Sequence, residues 1–152
     1  MPARFQRRSA RGFTLVEAMV VVAILAVVVG IGAPEFSRFI ADQRVRGIAT
    51  DLVASLLVAR SEAIKRNADV TLARSASGWS SGWTVASGGT DIDKRELPGG
   101  KISTPSTVTN VVFQGTGRPT TVFALELRDA HYGTAITPRC VRVGLDGRPT
   151  QT

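Results

Sequence analysis

One acidic side chain stands where an acid is costly. Glu17 lies inside the run Phe13 to Ala33, FTLVEAMVVVAILAVVVGIGA, whose other residues carry no charge. An ionised carboxylate in a membrane-spanning segment costs roughly 2.5 to 3.5 kcal/mol on insertion scales, so its presence implies a partner and a task. The remaining candidates for chemistry are thin. His131 is the only histidine, so a Ser-His-Asp triad has no second one to draw on. Cys140 is the only cysteine, which excludes an internal disulfide framework and a cysteine-based zinc site; it reads as a buried or partly buried small apolar group, or as a thiol that pairs between chains. Asp91 and Asp93 sit in a glycine-rich stretch without EF-hand spacing and read as a solvated loop. Gly115-Thr116-Gly117 lacks the closing Lys-Ser or Lys-Thr of a phosphate loop and reads as a hairpin turn. Trp79 and Trp83, four apart, read as packing residues. From this inventory no catalytic group, metal or cofactor is expected, and an enzyme is not the class.

The elements around Glu17 follow from hydropathy and charge. Phe13 to Ala33 is 21 residues long, and at about 1.5 Å per residue a helix of that length spans the roughly 30 Å of a bilayer core. Arg4, Arg7, Arg8 and Arg11 precede it with no acidic residue among them, so the positive-inside rule keeps residues 1–12 cytoplasmic and sends the C-terminal bulk across the membrane. Those four also account for most of the formal charge of +7, leaving 15 basic against 12 acidic side chains scattered over the rest. Such scatter argues only weakly for nucleic acid as a partner. Two plainer readings compete: a secretory signal cut near Gly30 to Ala33, and a simple anchor. The first would leave Pro34 beside the cut, and neither gives Glu17 a purpose.

Beyond Pro34 the apolar pattern becomes one-sided. Phe36, Ile40, Val45, Ile48, Leu52, Leu56, Ala59 and Ala63 recur at mostly three- and four-residue steps, which predicts an amphipathic helix to about Arg66. Pro34 either bends or locally melts one long helix, or begins a second. After Asn67 the period shifts to two, with strands expected at Val70 to Ala73, Trp83 to Ala86, Val111 to Phe113, Val122 to Arg128 and Arg139 to Leu145. Phe123, Leu125 and Leu127 would share one face of the fourth strand; Val141, Val143 and Leu145 would point inward from the last, with Cys140 and Arg142 opposite. The fold class is therefore α+β, a long N-terminal helix whose C-terminal half packs on a small antiparallel sheet.

The segment Arg11-Gly12-Phe13-Thr14-Leu15-Val16-Glu17 resembles the processing site of type IV prepilins and type II secretion pseudopilins. That resemblance implies cleavage by a prepilin peptidase between Gly12 and Phe13, N-methylation of Phe13, and a retained helix in which Glu17 pairs with the freed amine of a neighbouring subunit during assembly. Residues 1–12 would be a cleaved leader, 13–34 the transmembrane half of the helix, and 35–152 a periplasmic portion. Farther along, Ala59-Arg60-Ser61-Glu62-Ala63-Ile64-Lys65-Arg66-Asn67, Val70, Gly78-Trp79, Gly82-Trp83 and Phe113-Gln114-Gly115-Thr116-Gly117-Arg118 are similar, in that order, to the GspH/FimT group of minor pilins and pseudopilins. Membership implies a filament subunit serving a type II secretion pseudopilus or a type IV pilus, with other pilins as partners. The alternative is DNA uptake, which some FimT-like proteins perform through a C-terminal Gly-Arg-x-Arg motif. Here that stretch is Gly147-Arg148-Pro149-Thr150, without the second arginine, and a DNA-binding patch would need Arg118, Arg139, Arg142 and Arg148 to converge.

Overall fold

The computed structural model describes residues 12–152, with the side chains of residues 31–33 left out. The proposed leader residues up to Arg11 lie outside the described part. The chain divides into two compact units, one ending at Ser37 and one from Arg38 to Thr152.

The helix α1 runs from Leu15 to Arg66, with Pro34 inside it. In the first unit the apolar side chains of α1 are uncovered: Leu15, Val16, Met19, Ile24 and Val28 are all more than half exposed. Among the described residues no single helix is long and apolar enough to cross a membrane; Leu15–Gly30 and Pro34–Arg66 meet that measure only together.

In the second unit the same helix buries a continuous stripe of Val45, Ile48, Ala49, Leu52, Leu56, Ala59 and Ala63. The alternation of three- and four-residue steps places these on one side of a 3.6-residue helix, and the sheets cover that side. The predicted stripe began too early, because Phe36 and Ile40 are 65% and 44% exposed. Helix α1 ends in a Schellman motif: Asn67 adopts φ 47°, its N–H donates to the Ile64 carbonyl and the Ala68 N–H donates to the Ala63 carbonyl. Asparagine tolerates this left-handed geometry better than other non-glycine residues, so it stops the helix cleanly.

Eight strands follow, β1 (Val70–Ser75), β2 (Gly78–Ser87), β3 (Thr90–Glu96), β4 (Ile102–Ser103), β5 (Asn110–Phe113), β6 (Phe123–Asp129), β7 (Arg139–Val143) and β8 (Pro149–Gln151). They form two four-stranded antiparallel sheets, ordered β3-β2-β1-β5 and β4-β6-β7-β8. The sequence led to one sheet; the structure has two, and one apolar cluster from α1, β1, β2, β5, β6 and β7 joins them. Trp79 and Trp83 are both buried in it; the Trp79 indole N–H donates to the Val108 carbonyl at 2.6 Å and its ring meets Phe123 edge-on at 5.7 Å. Phe123, Leu125, Leu127, Val141 and Val143 all point inward as expected. Leu145 does not: β7 stops at Val143 and Gly144 turns the chain, leaving Leu145 58% exposed. Asp91 and Asp93 lie in the edge strand β3, not in a loop, paired with Ala86 and Val85 of β2.

Asp129 ties the second sheet to α1. Its side chain is 2% exposed; Oδ1 accepts the backbone N–H groups of His131 and Tyr132, and Oδ2 meets Arg44 of the helix at 3.4 Å. His131 is thereby engaged through its backbone, and its ring meets Tyr132 edge-on at 4.7 Å. Among the described residues no three His, Cys, Asp or Glu side chains gather in a way that could hold a metal ion.

Two glycines of the second unit predict opposite responses to alanine. Nothing lies within 4 Å of a Cβ built on Gly47, whereas one on Gly115 would sit 2.8 Å from the Asn67 carbonyl carbon. Gly47→Ala should therefore stabilise the fold by about 0.5 to 1 kcal/mol, through helix propensity alone. Gly115→Ala should destabilise it, because the helix end must shift, and urea unfolding of the two variants measures both signs.

Candidate functional site

At the N-terminus the side chains and the helix start are coupled. Gly12, Phe13 and Thr14 precede the first helical turn, and Phe13 is 74% exposed. Thr14 is the N-cap: its Oγ1 accepts the Glu17 N–H at 3.2 Å, and its carbonyl accepts the Ala18 N–H at 3.1 Å. The spacing Thr14-x-x-Glu17 is that of a capping box, with Glu17 at the third helical position. A carboxylate there also favours the positive end of the helix dipole. Glu17 thus has a reason to be acidic within its own chain, which the sequence reading did not weigh although the spacing displays it. The Gly12–Phe13 bond lies just outside the helix, and Glu17 is exposed one turn inside it.

The four arginines proposed as one patch do not converge. Arg139 reaches back to α1, its Nη2 lying 3.9 Å from Asp42 Oδ1, and its side chain is only 21% exposed. Arg118 and Arg148 are exposed, and the turns that carry them, at Gly117 and Gly147, lie at the other end of the helix beside Arg60 Nε. Asp42 and Arg60 are eighteen residues apart on one helix, or about 27 Å. Arg142 is exposed on the outer face of β7, opposite Ala124 and Thr150.

What gathers Arg118 and Arg148 is an internal repeat. Gly-Arg-Pro-Thr occurs at residues 117–120 and again at 147–150, and both copies fold alike. The Gly117 N–H donates to the Gln114 carbonyl and the Gly147 N–H to the Gly144 carbonyl; both glycines have positive φ, 75° and 72°. Pro119 then pairs with Phe113, as Pro149 pairs with Val143. The expected hairpin turn at Gly115-Thr116-Gly117 is present, and its glycines answer to packing. A Cβ on Gly147 would lie 2.2 Å from the Gly117 carbonyl oxygen, and one on Gly117 would lie 2.7 Å from Ile64 Cδ1 and 3.3 Å from Arg60 Nε. The two turns stack on each other and on the helix end, with the Arg60 Nε buried and lacking a hydrogen-bond partner among the described residues. Arg60 was missing from the proposed patch; the tetrapeptide repeat was the signal that could have found it.

Charges close to this cluster are already satisfied. Glu62 accepts from Arg66 Nε at 2.9 Å and from Lys65 Nζ at 3.0 Å, and the Arg66 and Lys65 hydrogen bonds hold its carboxyl below the usual carboxylate range. Asp146 accepts the Arg148 backbone N–H at 3.2 Å.

Residues 49–147 match the family described as type II transport protein GspH, which is well over half of the chain. The chain belongs to the GspH family. A second match, to the prokaryotic N-terminal methylation motif, covers residues 7–33 and contains Gly12, Phe13 and Glu17. No curated protein matches the chain. Among solved structures the GspH-family chain is similar to the type IV minor pilin FimU of Pseudomonas aeruginosa in two crystal forms. The first has TM-score 0.61 and 20% identity over 72% of this chain and 89% of that one. The second has TM-score 0.58 and 21% identity over 70% and 91%. That likeness establishes a pilin fold, with the N-terminal helix packed on antiparallel sheets, and together with the family it makes this GspH-family chain a type IV pilin-like structural subunit.

Because Glu62 titrates lower in the folded chain than in the unfolded one, its ion pairs add stability above the ordinary carboxylate pKa. They lose it as pH falls through the lower folded value. A carboxyl NMR titration should give Glu62 a midpoint below that of an unpaired glutamate. Glu62→Gln should weaken hydrogen-exchange protection of the last turn of α1 at neutral pH and leave it unchanged once both states are protonated.

Proposed function

We propose that the chain is the precursor of a minor pilin or pseudopilin, a membrane-anchored subunit added to a short filament in the inner-membrane assembly machinery. Residues 1–12 form the cytoplasmic leader, a prepilin peptidase cuts between Gly12 and Phe13, and Phe13 is N-methylated. Residues 13–34 anchor the subunit in the inner membrane and residues 35–152 stand in the periplasm. The observation that carries this reading is the pairing of a GspH-type sheet domain with a helix whose N-terminal half is apolar, uncovered by its own chain, and interrupted by one carboxylate. Released by the cut, the Phe13 amine is a cation four residues from Glu17, just outside the helix start. Pairing of Glu17 with the amine of a neighbouring subunit offsets the desolvation each suffers alone and fixes axial register. The filament is a type II secretion pseudopilus or a type IV pilus, and the subunit acts in its assembly or initiation, with other pilins as partners, in support of protein secretion.

The second reading is capture of DNA, favoured by the cluster of Arg60, Arg118 and Arg148. Arginines carried by two turns that meet beside Arg60 suit a phosphate backbone, with Glu62 held by Lys65 and Arg66, while Asp146 stays bonded to the Arg148 N–H within the same turn. Arg142 extends the same hairpin, whereas Arg139 is held at Asp42 and contributes little.

Mass spectrometry of the chain from its host should find a mature N-terminus at Phe13 carrying one methyl group. Retention of residues 1–12, or a cut beyond Ala33, would overturn the subunit reading. Glu17→Val should still insert in the membrane and fail to enter filaments, as scored by shearing and immunoblot. For the DNA reading, duplex binding should weaken steeply with salt and fall about tenfold in Arg118→Ala/Arg148→Ala. An equal affinity in Arg139→Ala and the parent completes the pattern, and no binding at low salt removes this reading.

A further inference from the structure

Two stretches rich in serine and threonine, residues 75–81 and 102–109, carry no charge, and the sheets bring them together. The first spans the turn between β1 and β2; the second is β4 and the segment that leads to β5. Between them lies an open cup of about 450 Å³, lined by Ser77, Ser80, Ser103, Thr104 and Thr107, with Arg74 as its one charged residue. That volume falls within the roughly 300 to 1,000 Å³ of small-molecule sites. None of those five hydroxyls has a hydrogen-bond partner among the described residues, and Arg74 forms no ion pair there.

The cup is held by its own chain. The Arg74 N–H donates to the Thr109 carbonyl at 3.0 Å and Ser106 Oγ accepts the Val108 N–H at 3.2 Å, so the second stretch is tied both to β1 and to itself. Trp79 and Ile102, 2% and 4% exposed, add apolar surface to the lining, and the indole N–H is already given to the Val108 carbonyl. A bulge between Arg74 and Ser75 interrupts the pairing of β1 with β2, and bulges re-aim the side chains beside them. The Arg74 guanidinium comes to lie by Gly78: Nη1 is 3.7 Å from where a Cβ on that glycine would stand, and Ser80 Oγ is 3.8 Å from the same point. Arg74 also borders a second groove with Asp91 and Glu96, but neither pairs with it, and Glu96 is held by Lys94 at 2.7 Å.

We propose that this cup binds a sugar acid, a hydroxylated ring that carries one carboxylate. A guanidinium grips a carboxylate through two parallel N–H bonds. A hydroxyl both donates and accepts, which is what the hydroxyls of a sugar ring require. One cation, with no acidic residue in the lining, balances one negative charge, whereas a phosphate monoester brings about −1.5 to −2. A neutral sugar leaves Arg74 unanswered, and the carboxylate of a peptide side chain leaves the hydroxyls unanswered. The shared chemistry is the uronate unit, free or within an acidic polysaccharide. The proposal goes beyond the filament reading and needs neither the leader cut nor Glu17, since every lining residue lies in the unit from Arg38 to Thr152.

The test is calorimetric titration of the full chain in a zwitterionic detergent, because sugar-based detergents would compete. Trigalacturonate should bind, and neutral galactotriose should bind about tenfold more weakly, having no carboxylate for Arg74. Arg74→Gln should weaken trigalacturonate by about tenfold, and Arg74→Lys by less, since an ammonium keeps the charge and loses the fork. Ser80→Ala/Thr104→Val should weaken it by about threefold at an unchanged melting temperature. Arg46→Gln, on the helix and paired with Asp42, should leave it unaltered. Galacturonate binding as tightly as its trimer supports a free sugar acid as the ligand, and a tighter trimer supports a polysaccharide. No binding of trigalacturonate at millimolar concentration, equal affinity for galactotriose, or indifference to Arg74→Gln overturns the proposal. Tighter binding of galactose phosphate, or displacement of trigalacturonate by duplex DNA, overturns it as well, because the cup would then be a general anion surface.

Discussion

Everything in the sheet-bearing unit depends on one helix covering two sheets. Val45, Leu52, Leu56, Ala59 and Ala63 are fully buried, and the residues they meet come from both four-stranded sheets. Each fully buried valine or leucine contributes on the order of 1.5 to 3 kcal/mol, and without the helix the inner faces of both sheets would be open to water. The small size of Ala49, Ala59 and Ala63 matters as much as the bulk of the leucines, since it lets strands approach the helix closely. The same helix also leaves apolar side chains uncovered along its N-terminal part, from Leu15 to Val29. Within the sheet-bearing unit it has one rotational setting, because any other withdraws the stripe from the sheets.

Local devices hold that rotation. Asp129, buried and bonded to two backbone N–H groups, fixes β6 against Arg44 near one end of the covered stretch. At the other end Asn67 stops the helix, and Gly115, Gly117 and Gly147 let two turns press onto it. Between them an ion pair joins Asp51 to Arg95 of the edge strand. Surface pairs of this kind add little stability by themselves. Their consequence is distribution of charge: Asp42, Asp51 and Glu62 engage Arg46, Arg95, Lys65 and Arg66, and Arg60, Arg118 and Arg148 remain to define the basic end of the domain.

The strands that were legible from sequence are those with one wet and one dry face. In β6 the order Phe123, Ala124, Leu125, Glu126, Leu127, Arg128 states its register outright, and β1, β5 and β7 are nearly as plain. Strand β3, TDIDKRE, is exposed at six of seven positions, with only Ile92 packed toward the core, so its residues report an edge and not a buried face. β8 opens with Pro149, tolerable only at an edge, and β4 is two residues long. Such strands owe their existence to a neighbour's unpaired N–H and C=O groups, which side-chain pattern does not record.

Sequence alone determined what depends on neighbours along the chain: the uncharged run around Glu17, the Gly12-Phe13 junction, the helical periodicity to Arg66 and the alternation in β6 and β7. These are set by covalent spacing and by hydropathy, which any reader of the residues has in hand. Tertiary structure decided what depends on distance between segments remote in sequence. It split the proposed arginines, sending Arg139 to Asp42, and it stacked two copies of Gly-Arg-Pro-Thr, thirty residues apart, against Arg60. It also laid two sheets, not one, over the apolar stripe that the helical periodicity had marked, because strand pairing between remote segments is written in no local pattern.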